Sequence, residues 1–408
     1  MSIKKLSLTS QIFISMIVGI LFGFLFINNP NISSTYIKPI GNIFINLLKF
    51  IVVPIVLLSL VSGIVSMKDI KKVGAIGGKA FIYFIITTVI ATILSTGVAL
   101  SFKNVFPVFP ASSANTINSQ SISVLDTLIN IFPSNFFLSL ANSDMLQIIF
   151  ISIALGMSIL SIGEKAKNLV SLIDILNEVF NKIMMGIIKF SPVGIFCLMT
   201  DLVASNGTSV LGSLVVVILV VYLALILHAL IVYTFTVKVF AKINPITFIK
   251  EMMPAIIFAF TSTSSLATLP FTKQCSKKLG ASEECASFVL SLGASMHKDG
   301  AAIYMPIISV FIATCYGVTL TVPQLLSIAI TSILMSFGCP AIPNGNPLVL
   351  SMVLSSAGVP AEGVGLVIGI DKLFDMGCTV INILGDAPAA IMLSKSNENK
   401  DTDKIKIK

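Results

Sequence analysis

The chain has 408 residues, of which 55% are hydrophobic and 11% are charged, and its mean hydropathy is +1.00. A soluble domain keeps about a quarter of its residues charged, so this composition excludes a water-soluble globular protein and indicates lipid as the solvent. The net charge of +8 comes from 26 basic residues, all of them lysine. The lysines lie in short loops between apolar runs, a pattern that indicates membrane topology and disfavours nucleic acid as a partner.

Six apolar runs of membrane-spanning length come first along the chain, and their continuous hydrophobicity predicts helices rather than a barrel. The first run lacks a small-residue cleavage site and therefore predicts a spanning helix, not a signal peptide. Lysine-rich loops follow the second, fourth and sixth runs and flank the chain at both ends, so the positive-inside rule places both termini in the cytoplasm. The runs lie near residues 11–27, 40–66, 80–102, 136–161, 169–200 and 210–241.

Four later apolar stretches are interrupted by Gly, Pro, Ser, Thr, Asn or charged residues. They are 252–271, 286–315, 324–355 and 363–394. Eight full spans satisfy the topology, which leaves the first and third of these stretches as re-entrant hairpins that turn inside the membrane. Their predicted tips are the hydroxyl-rich 261–265 and the Pro- and Asn-rich 339–346. A hairpin followed by a broken, charged span occurs twice, as expected for the inverted repeats of secondary transporters.

Charged residues inside the second and fourth interrupted stretches indicate a functional site. A charge at the bilayer centre costs about 2.5–3.5 kcal/mol or more, so these groups must face each other, a cation or a polar cavity. Asp371, Asp375, Asn382 and Asp386 are spaced by four, seven and four residues and so share one helical face. We interpret the last three as a solute path rather than as Lys–Asp pairs that only join helices. The alternative remains for Lys372 and Asp371, which could lie near a membrane end.

Five segments resemble the dicarboxylate/amino acid:cation symporter family, which includes the glutamate and neutral amino acid transporters. They are LLKFIVVPIVLLSLVSGI at 47–64, IIKFSPVGIF at 187–196, STSSLATLP at 262–270, LGASMHKDGAAIY at 292–304 and GIDKLFDMGCTVINILGDAPAAIM at 369–392. The resemblance runs nearly end to end, and the last segment is highly specific. It implies an all-α polytopic membrane protein with eight transmembrane helices and two re-entrant helical hairpins, which works as an elevator within a homotrimer.

The same resemblance implies a static scaffold, a mobile transport domain and a second hairpin that acts as extracellular gate. The transport core at 246–395 would contain both hairpins and the last two helices. The implied scaffold is 1–79 and 103–205, and the rest of the transport domain is 80–102 and 206–245, with 396–408 as a cytoplasmic tail. The expected location is the inner (plasma) membrane.

Individual site residues are also implied by the resemblance. Asp375 would hold the ammonium group of an amino acid substrate, with Thr379 and Asn382 beside its main-chain groups. The other implied substrate contacts are Ser264, Ser265, Ala301, Ile342, Asn346 and Cys378. Three sodium sites are implied: Asp386, Asn382 and Gly293; then Ser295, Ser336, Phe337 and Cys339; then Thr87, Thr88 and Asp299, with His297 as a further sodium-site residue. No cofactor beyond the coupling ion is expected.

Two departures from the family pattern concern the substrate. Members that carry acidic substrates have an arginine where this chain has Cys378, and a threonine or serine where it has Ala301. A buried carboxylate without a partner costs several kcal/mol, so the departures predict a small neutral amino acid such as alanine, serine, threonine or cysteine. The alternative is a dicarboxylate held by Lys298.

A further departure concerns the coupling ion. His297 and Lys298 stand where sodium-coupled members have Asn and Met. A lysine ammonium near the sodium sites could replace one bound cation, or titrate if it is buried, which makes proton coupling an alternative to sodium. A third possibility is that Lys298 only neutralises Asp299 or extends away from the site.

Functions of other classes fit the sequence less well. The hydroxyl-rich run at 261–265 could supply an enzyme nucleophile, but His228 and His297 lie in other spans without a catalytic spacing. A polar hairpin tip could also form the filter of an ion channel. The six cysteines form no CxxC pair and are predicted to be small buried side chains.

Overall fold

The computed structural model describes residues 8–66, 75–108, 129, 131–207, 209–338 and 346–406, and every regular element in these ranges is a helix. The first three are α1 (Leu8–Phe24), α2 (Lys38–Ser66) and α3 (Ala75–Phe102). They coincide with the first three predicted spans to within a few residues, because long apolar runs without internal turn signals favour uninterrupted helices.

The fourth predicted span is divided, contrary to the expectation of one helix at 136–161. Its parts are α4 (Phe136–Ala141) and α5 (Met145–Ile162). Asn142, Ser143 and Asp144 separate them, and Ser143 has a positive φ of 57°. Short polar side chains stabilise such turns by hydrogen bonding to nearby backbone groups, and here they outweigh the apolar pattern.

The next helices are α6 (Lys167–Asn206), α7 (Ser209–His228) and α8 (Thr234–Val239). A π-helical turn, Ala229–Tyr233, joins α7 to α8. Such turns are rare and occur often at functional sites. His228 immediately precedes this turn and Tyr233 ends it, and both side chains contact Asp299.

Two helical hairpins form where the re-entrant segments were predicted. The first consists of α9 (Pro245–Ser262) and α10 (Ser265–Lys278), and Asn244 caps α9 by accepting a hydrogen bond from the amide of Ile246 at 2.9 Å. Between the first hairpin and its successor lie α11 (Glu283–Met296) and α12 (Asp299–Cys315), which form the expected broken helix. The second hairpin consists of α13 (Val322–Gly338) and α14 (Asn346–Ser356), and its tip at 339–345 lies outside the described residues.

The last helix, α15 (Asp371–Lys406), is continuous through all the charged positions. The interruption expected in this stretch lies before them, between a short helix at Val364–Val367 and Asp371. One uninterrupted helix therefore carries Asp371, Asp375, Asn382 and Asp386 on one face, as their spacing predicts.

The helices pack in two groups. α1, α2, α5 and α6 pack against one another, while α3, α7 and the hairpins surround α12 and α15. All but one residue of α12 is buried. Five helical stretches within the described residues are long and apolar enough to cross a membrane, and the expected total of eight spans stays a prediction.

Candidate functional site

The break between α11 and α12 brings two helix ends into the interior of the protein. The amide of His297 closes α11 by donating to the carbonyl of Gly293 at 2.8 Å. The first amides of a helix have no intrahelical partner, and the amide of Gly300 instead donates to the side-chain oxygen of Asn382 at 2.8 Å. The charged segment predicted inside the membrane is thus buried where α12 begins and contacts α15.

The tip of the first hairpin contacts α15 through a lysine. Thr263 has a left-handed backbone with φ of 52°, and Ser264 caps α10 by accepting from the amide of Ala267 at 3.2 Å. The Lys372 ammonium donates to the Thr263 hydroxyl and lies 3.9 Å from the Asp375 carboxylate. Lys372 was expected at most to pair with Asp371, and its sequence spacing gave no sign of this contact.

Asp375 lies at the edge of the site, with a side chain that is 14% exposed. Its Oδ1 is 3.4 Å from the side-chain nitrogen of Asn346, the first residue of α14. Thr379 follows one turn later on α15 and is buried, as is Ser265 beside the first hairpin tip. The structure therefore brings the second hairpin to Asp375 and the first hairpin to the neighbouring Lys372. The predicted contact Ile342 lies outside the described residues.

Cys378 closes the site between α12 and α15. Its thiol donates to the carbonyl of Gly300 at 3.2 Å, and Cys378 and Ala301 are only 2% and 3% exposed. A Cβ added to Gly300 would overlap the backbone of Cys378, so glycine permits the close approach of the two helices. Neither Cys378 nor Ala301 can offer a positive charge to a substrate side chain.

Four groups that can donate hydrogen bonds surround the carboxylate of Asp299, which is fully buried. Its Oδ1 lies 2.7 Å from the Thr88 hydroxyl and 3.0 Å from Nε2 of His297. Its Oδ2 lies 2.9 Å from the Tyr233 hydroxyl and 3.3 Å from Nε2 of His228. Sequence reasoning missed Tyr233 and His228 as site residues, although a histidine isolated in an apolar span was a signal for one of them.

The imidazole of His297 joins Asp299 to Asp386. Nδ1 lies 2.8 Å from Oδ1 of Asp386, while Nε2 lies 3.0 Å from Oδ1 of Asp299 and 3.0 Å from the Thr87 hydroxyl oxygen. The ring stacks on Phe84, with centroids 4.3 Å apart and an angle of 18° between the planes. Residues predicted for two separate sodium sites are thus connected through one side chain.

Two glycines allow this arrangement. A Cβ on Gly293 would overlap the Asp386 carboxylate. A Cβ on Gly385 would lie 2.6 Å from the Tyr233 hydroxyl and 2.7 Å from Cε1 of His297. α11 and α15 can approach one another around the histidine only because both positions lack side chains.

The remaining predicted residues make other contacts. The Lys298 ammonium donates to the carbonyl of Ala294 at 2.6 Å. In the second predicted sodium site, Ser295 is exposed and Ser336 is buried, and each hydroxyl donates to carbonyls of its own helix. The ring of Phe337 is tilted by 53° against that of Phe81, with centroids 5.8 Å apart, and Cys339 lies outside the described residues.

Asp371 has a different neighbour from the one expected. Its Oδ1 accepts a hydrogen bond from the buried Tyr304 hydroxyl at 2.9 Å, which joins α15 to α12. Tyr304 was not predicted as a partner, because nothing in the spacing of the two segments indicates which turns of the helices face each other.

Comparison with known proteins supports the resemblance. Residues 8–396 match the family model described as the sodium:dicarboxylate symporter family. A proton/sodium-glutamate symport protein of Bacillus caldotenax is 35% identical over 96% of this chain and 95% of its own length. The proton/glutamate-aspartate symporter of Escherichia coli (strain K12) is 31% identical, covering 98% and 95%. A C4-dicarboxylate transport protein of Bacillus subtilis (strain 168) is 30% identical, also covering 98% and 95%.

Proposed function

The chain belongs to the sodium:dicarboxylate symporter family, and from this premise we propose that it transports a small α-amino acid with an uncharged side chain together with a cation. Family membership makes the chain a cation-coupled membrane symporter and disfavours an enzyme or a channel. The single observation that supports an uncharged α-amino acid as substrate is the pairing of Asp375 with Lys372 at the edge of the site.

One carboxylate beside one ammonium complements a zwitterion. Asp375 suits the substrate ammonium, because an ionised acceptor forms a strong, charge-assisted hydrogen bond. Lys372 and the cap of the first hairpin at Ser264 lie on the side where the substrate carboxylate would fit. The charges of an α-amino acid are then balanced without any contribution from its side chain.

The pocket for the substrate side chain supports a neutral group. Cys378 and Ala301 are uncharged, and the Cys378 thiol already donates to the carbonyl of Gly300. A second substrate carboxylate placed there would lose its hydration without gaining a cationic partner. No arginine exists in the chain to supply a bidentate contact.

An acidic substrate is the second candidate, and the names of the relatives favour it over a neutral one. The relatives are described as glutamate, glutamate-aspartate or C4-dicarboxylate transporters. Lys298 and Lys372, which both lie near the site, would then hold the additional carboxylate. Their present partners, the carbonyl of Ala294 and the hydroxyl of Thr263, would have to be given up.

Counterflow in proteoliposomes separates the two candidates. Vesicles loaded with unlabelled L-serine should take up labelled serine, and external L-alanine should compete while L-glutamate and succinate should not. Competition by glutamate or succinate at an affinity equal to that of serine would overturn the neutral-substrate proposal in favour of the acidic one.

A charge introduced at Cys378 tests the same pocket from the protein side. Cys378→Arg should raise the affinity for glutamate relative to serine at least tenfold, since a hydrogen bond to a charged group contributes about 1.5–3 kcal/mol. Cys378→Ser is the matched control, because it nearly keeps the size of the side chain and adds no charge. Equal glutamate competition in both variants would show that this position does not face the substrate side chain.

The family resemblance also underlies proposals about architecture. We propose a scaffold of α1, α2, α5 and α6, a transport domain built around α12 and α15, a homotrimer and cytoplasmic termini in the plasma membrane. The packing of the helices in two groups supports the division. Mass photometry of the purified protein tests the trimer, and disulfide cross-linking between α2 and α13 tests relative movement of the two groups.

A further inference from the structure

His297, which is itself an implied sodium-site residue, lies between Asp299 and Asp386. Asp299 belongs to one implied sodium site and Asp386 to another. Whether these residues can bind a sodium ion depends on which of their oxygen lone pairs are not already used in hydrogen bonds.

Asp299 has none available. An ionised carboxylate offers about four lone-pair positions on its two oxygens. Thr88 and His297 lie at hydrogen-bond distance from Oδ1. Tyr233 lies 2.9 Å from Oδ2, and His228 lies 3.3 Å from it. Because Asp299 is fully buried, these contacts are made away from water. A sodium ion could bind this carboxylate only by displacing donors.

The implied site at Asp386 is engaged in part. Oδ1 of Asp386 contacts Nδ1 of His297 at 2.8 Å, and the side-chain oxygen of Asn382 accepts from the amide of Gly300 at 2.8 Å. Two of the oxygens that would ligate sodium are therefore already acceptors in protein hydrogen bonds.

With Asp299 and Asp386 both ionised, both ring nitrogens of His297 are donors in this geometry. The Thr87 hydroxyl directs its proton to the carbonyl of Phe84 at 3.1 Å, so its oxygen accepts from Nε2. Nε2 also faces Asp299, while Nδ1 faces Asp386. Carboxylate oxygens only accept hydrogen bonds, and an imidazole that donates from both nitrogens carries a positive charge.

The ring is held in place by its surroundings. It stacks on Phe84, and the Cα of Gly385 packs so closely against it that a methyl group would not fit. His297 is 0% exposed. Phe84 and Gly385 therefore restrict movement of the side chain on the two sides where they contact it.

We propose that His297 is a tethered positive group that takes the place of exchangeable cations beside Asp299 and Asp386, so that sodium binds at neither carboxylate. This inference rests on the chain being a cation-coupled symporter of its family. It leaves the implied site around Ser295 and Ser336 untouched, and it assigns the loss of sodium binding to His297 rather than to its neighbour Lys298.

Sodium alone is the probe for the test, so the result does not depend on the substrate. Thermal unfolding of the purified protein is followed in sodium chloride and in choline chloride of equal ionic strength. His297→Asn, which supplies an oxygen ligand, should show a larger sodium-specific rise in melting temperature than the unaltered protein. His297→Phe, which can still stack on Phe84 but offers no ligand, should not. A rise in the unaltered protein as large as that in His297→Asn, or equal responses of the two variants, would overturn the proposal.

A second measurement needs no substitution at His297. The chain has only two histidines, so ¹⁵N-histidine labelling gives few ring signals, and His228→Asn assigns them. Both ring nitrogens of His297 should be protonated, and their signals should be unchanged when choline is replaced by sodium. A nitrogen of His297 that is unprotonated, or loses its proton on addition of sodium, would refute the proposal. Failure of counterflow for every substrate, with these results as expected, would refute only the proposed function.

Discussion

Removing the hydroxyl of Tyr233 tests the donor shell of Asp299 most directly. The Tyr233→Phe substitution deletes one oxygen and keeps the ring, which packs edge-on against His228 with centroids 4.9 Å apart. The hydroxyl donates to Oδ2 of Asp299 at 2.9 Å, and because the carboxylate is fully buried, bulk water cannot take its place. In the variant, Oδ2 of Asp299 keeps only Nε2 of His228, at 3.3 Å, of its two neighbours described above.

The size of the effect follows from the charge on the acceptor. Hydrogen bonds between transmembrane helices average about 0.6 kcal/mol. A hydrogen bond to a charged group contributes about 1.5–3 kcal/mol to stability. When a buried acceptor loses its donor, the protein is destabilised by the full desolvation penalty of that acceptor. We expect Tyr233→Phe to lower the free energy of unfolding by about 2 kcal/mol.

The matched control is Tyr222→Phe. It removes the same atom from a hydrogen bond of 2.7 Å, but the acceptor is the uncharged carbonyl of Leu373. Both variants are compared with the unaltered protein by thermal unfolding in detergent. If Tyr233→Phe destabilises the protein no more than Tyr222→Phe, the Tyr233 hydroxyl does not stabilise the Asp299 charge, and the reasoning about a saturated carboxylate fails.

Three further predictions concern packing, capping and binding. Gly385→Ala should destabilise the protein by about 1–3 kcal/mol, because the added methyl group overpacks against Tyr233 and His297. The control Gly97→Ala should not, since its Cβ meets nothing within 4 Å. Equal melting temperatures of the two variants would show that α15 can move aside. Ser264→Ala should lower stability by about 1 kcal/mol through loss of the cap of α10, measured by thermal unfolding, and an unchanged value would mean that backbone or water replaces the cap. Asp375→Asn should weaken serine binding about tenfold or more in calorimetry, while the exposed Asp174→Asn leaves it unchanged; unaltered binding in the first variant would exclude Asp375 as the ammonium partner.

The helices were largely predictable from the sequence, because their apolar runs are long and their turn signals are local. The shared face of Asp375, Asn382 and Asp386 also followed from spacing alone, and α15 confirms it. The division of the fourth span at Ser143 was not predicted, since three polar residues must outweigh a longer apolar pattern around them.

The partners of the charged residues were harder to predict. Tyr233, His228 and Tyr304 contact the carboxylates from other helices, and no local pattern indicates which turns of two helices meet. The substrate stays a prediction for a related reason. Cys378 and Ala301 favour a neutral side chain, yet the named relatives at 30–35% identity are glutamate and dicarboxylate transporters.

A positive charge that is covalently attached has an energetic consequence for transport. A sodium ion that enters with the substrate and stays inside releases about 2.3 kcal/mol per 100 mV of membrane potential. The charge proposed for His297 never leaves the protein, so the membrane potential does no net work on it over a complete cycle. Each sodium ion replaced in this way reduces the steepest substrate gradient that the transporter can sustain. In return, the position between the two aspartates stays filled at any external sodium concentration.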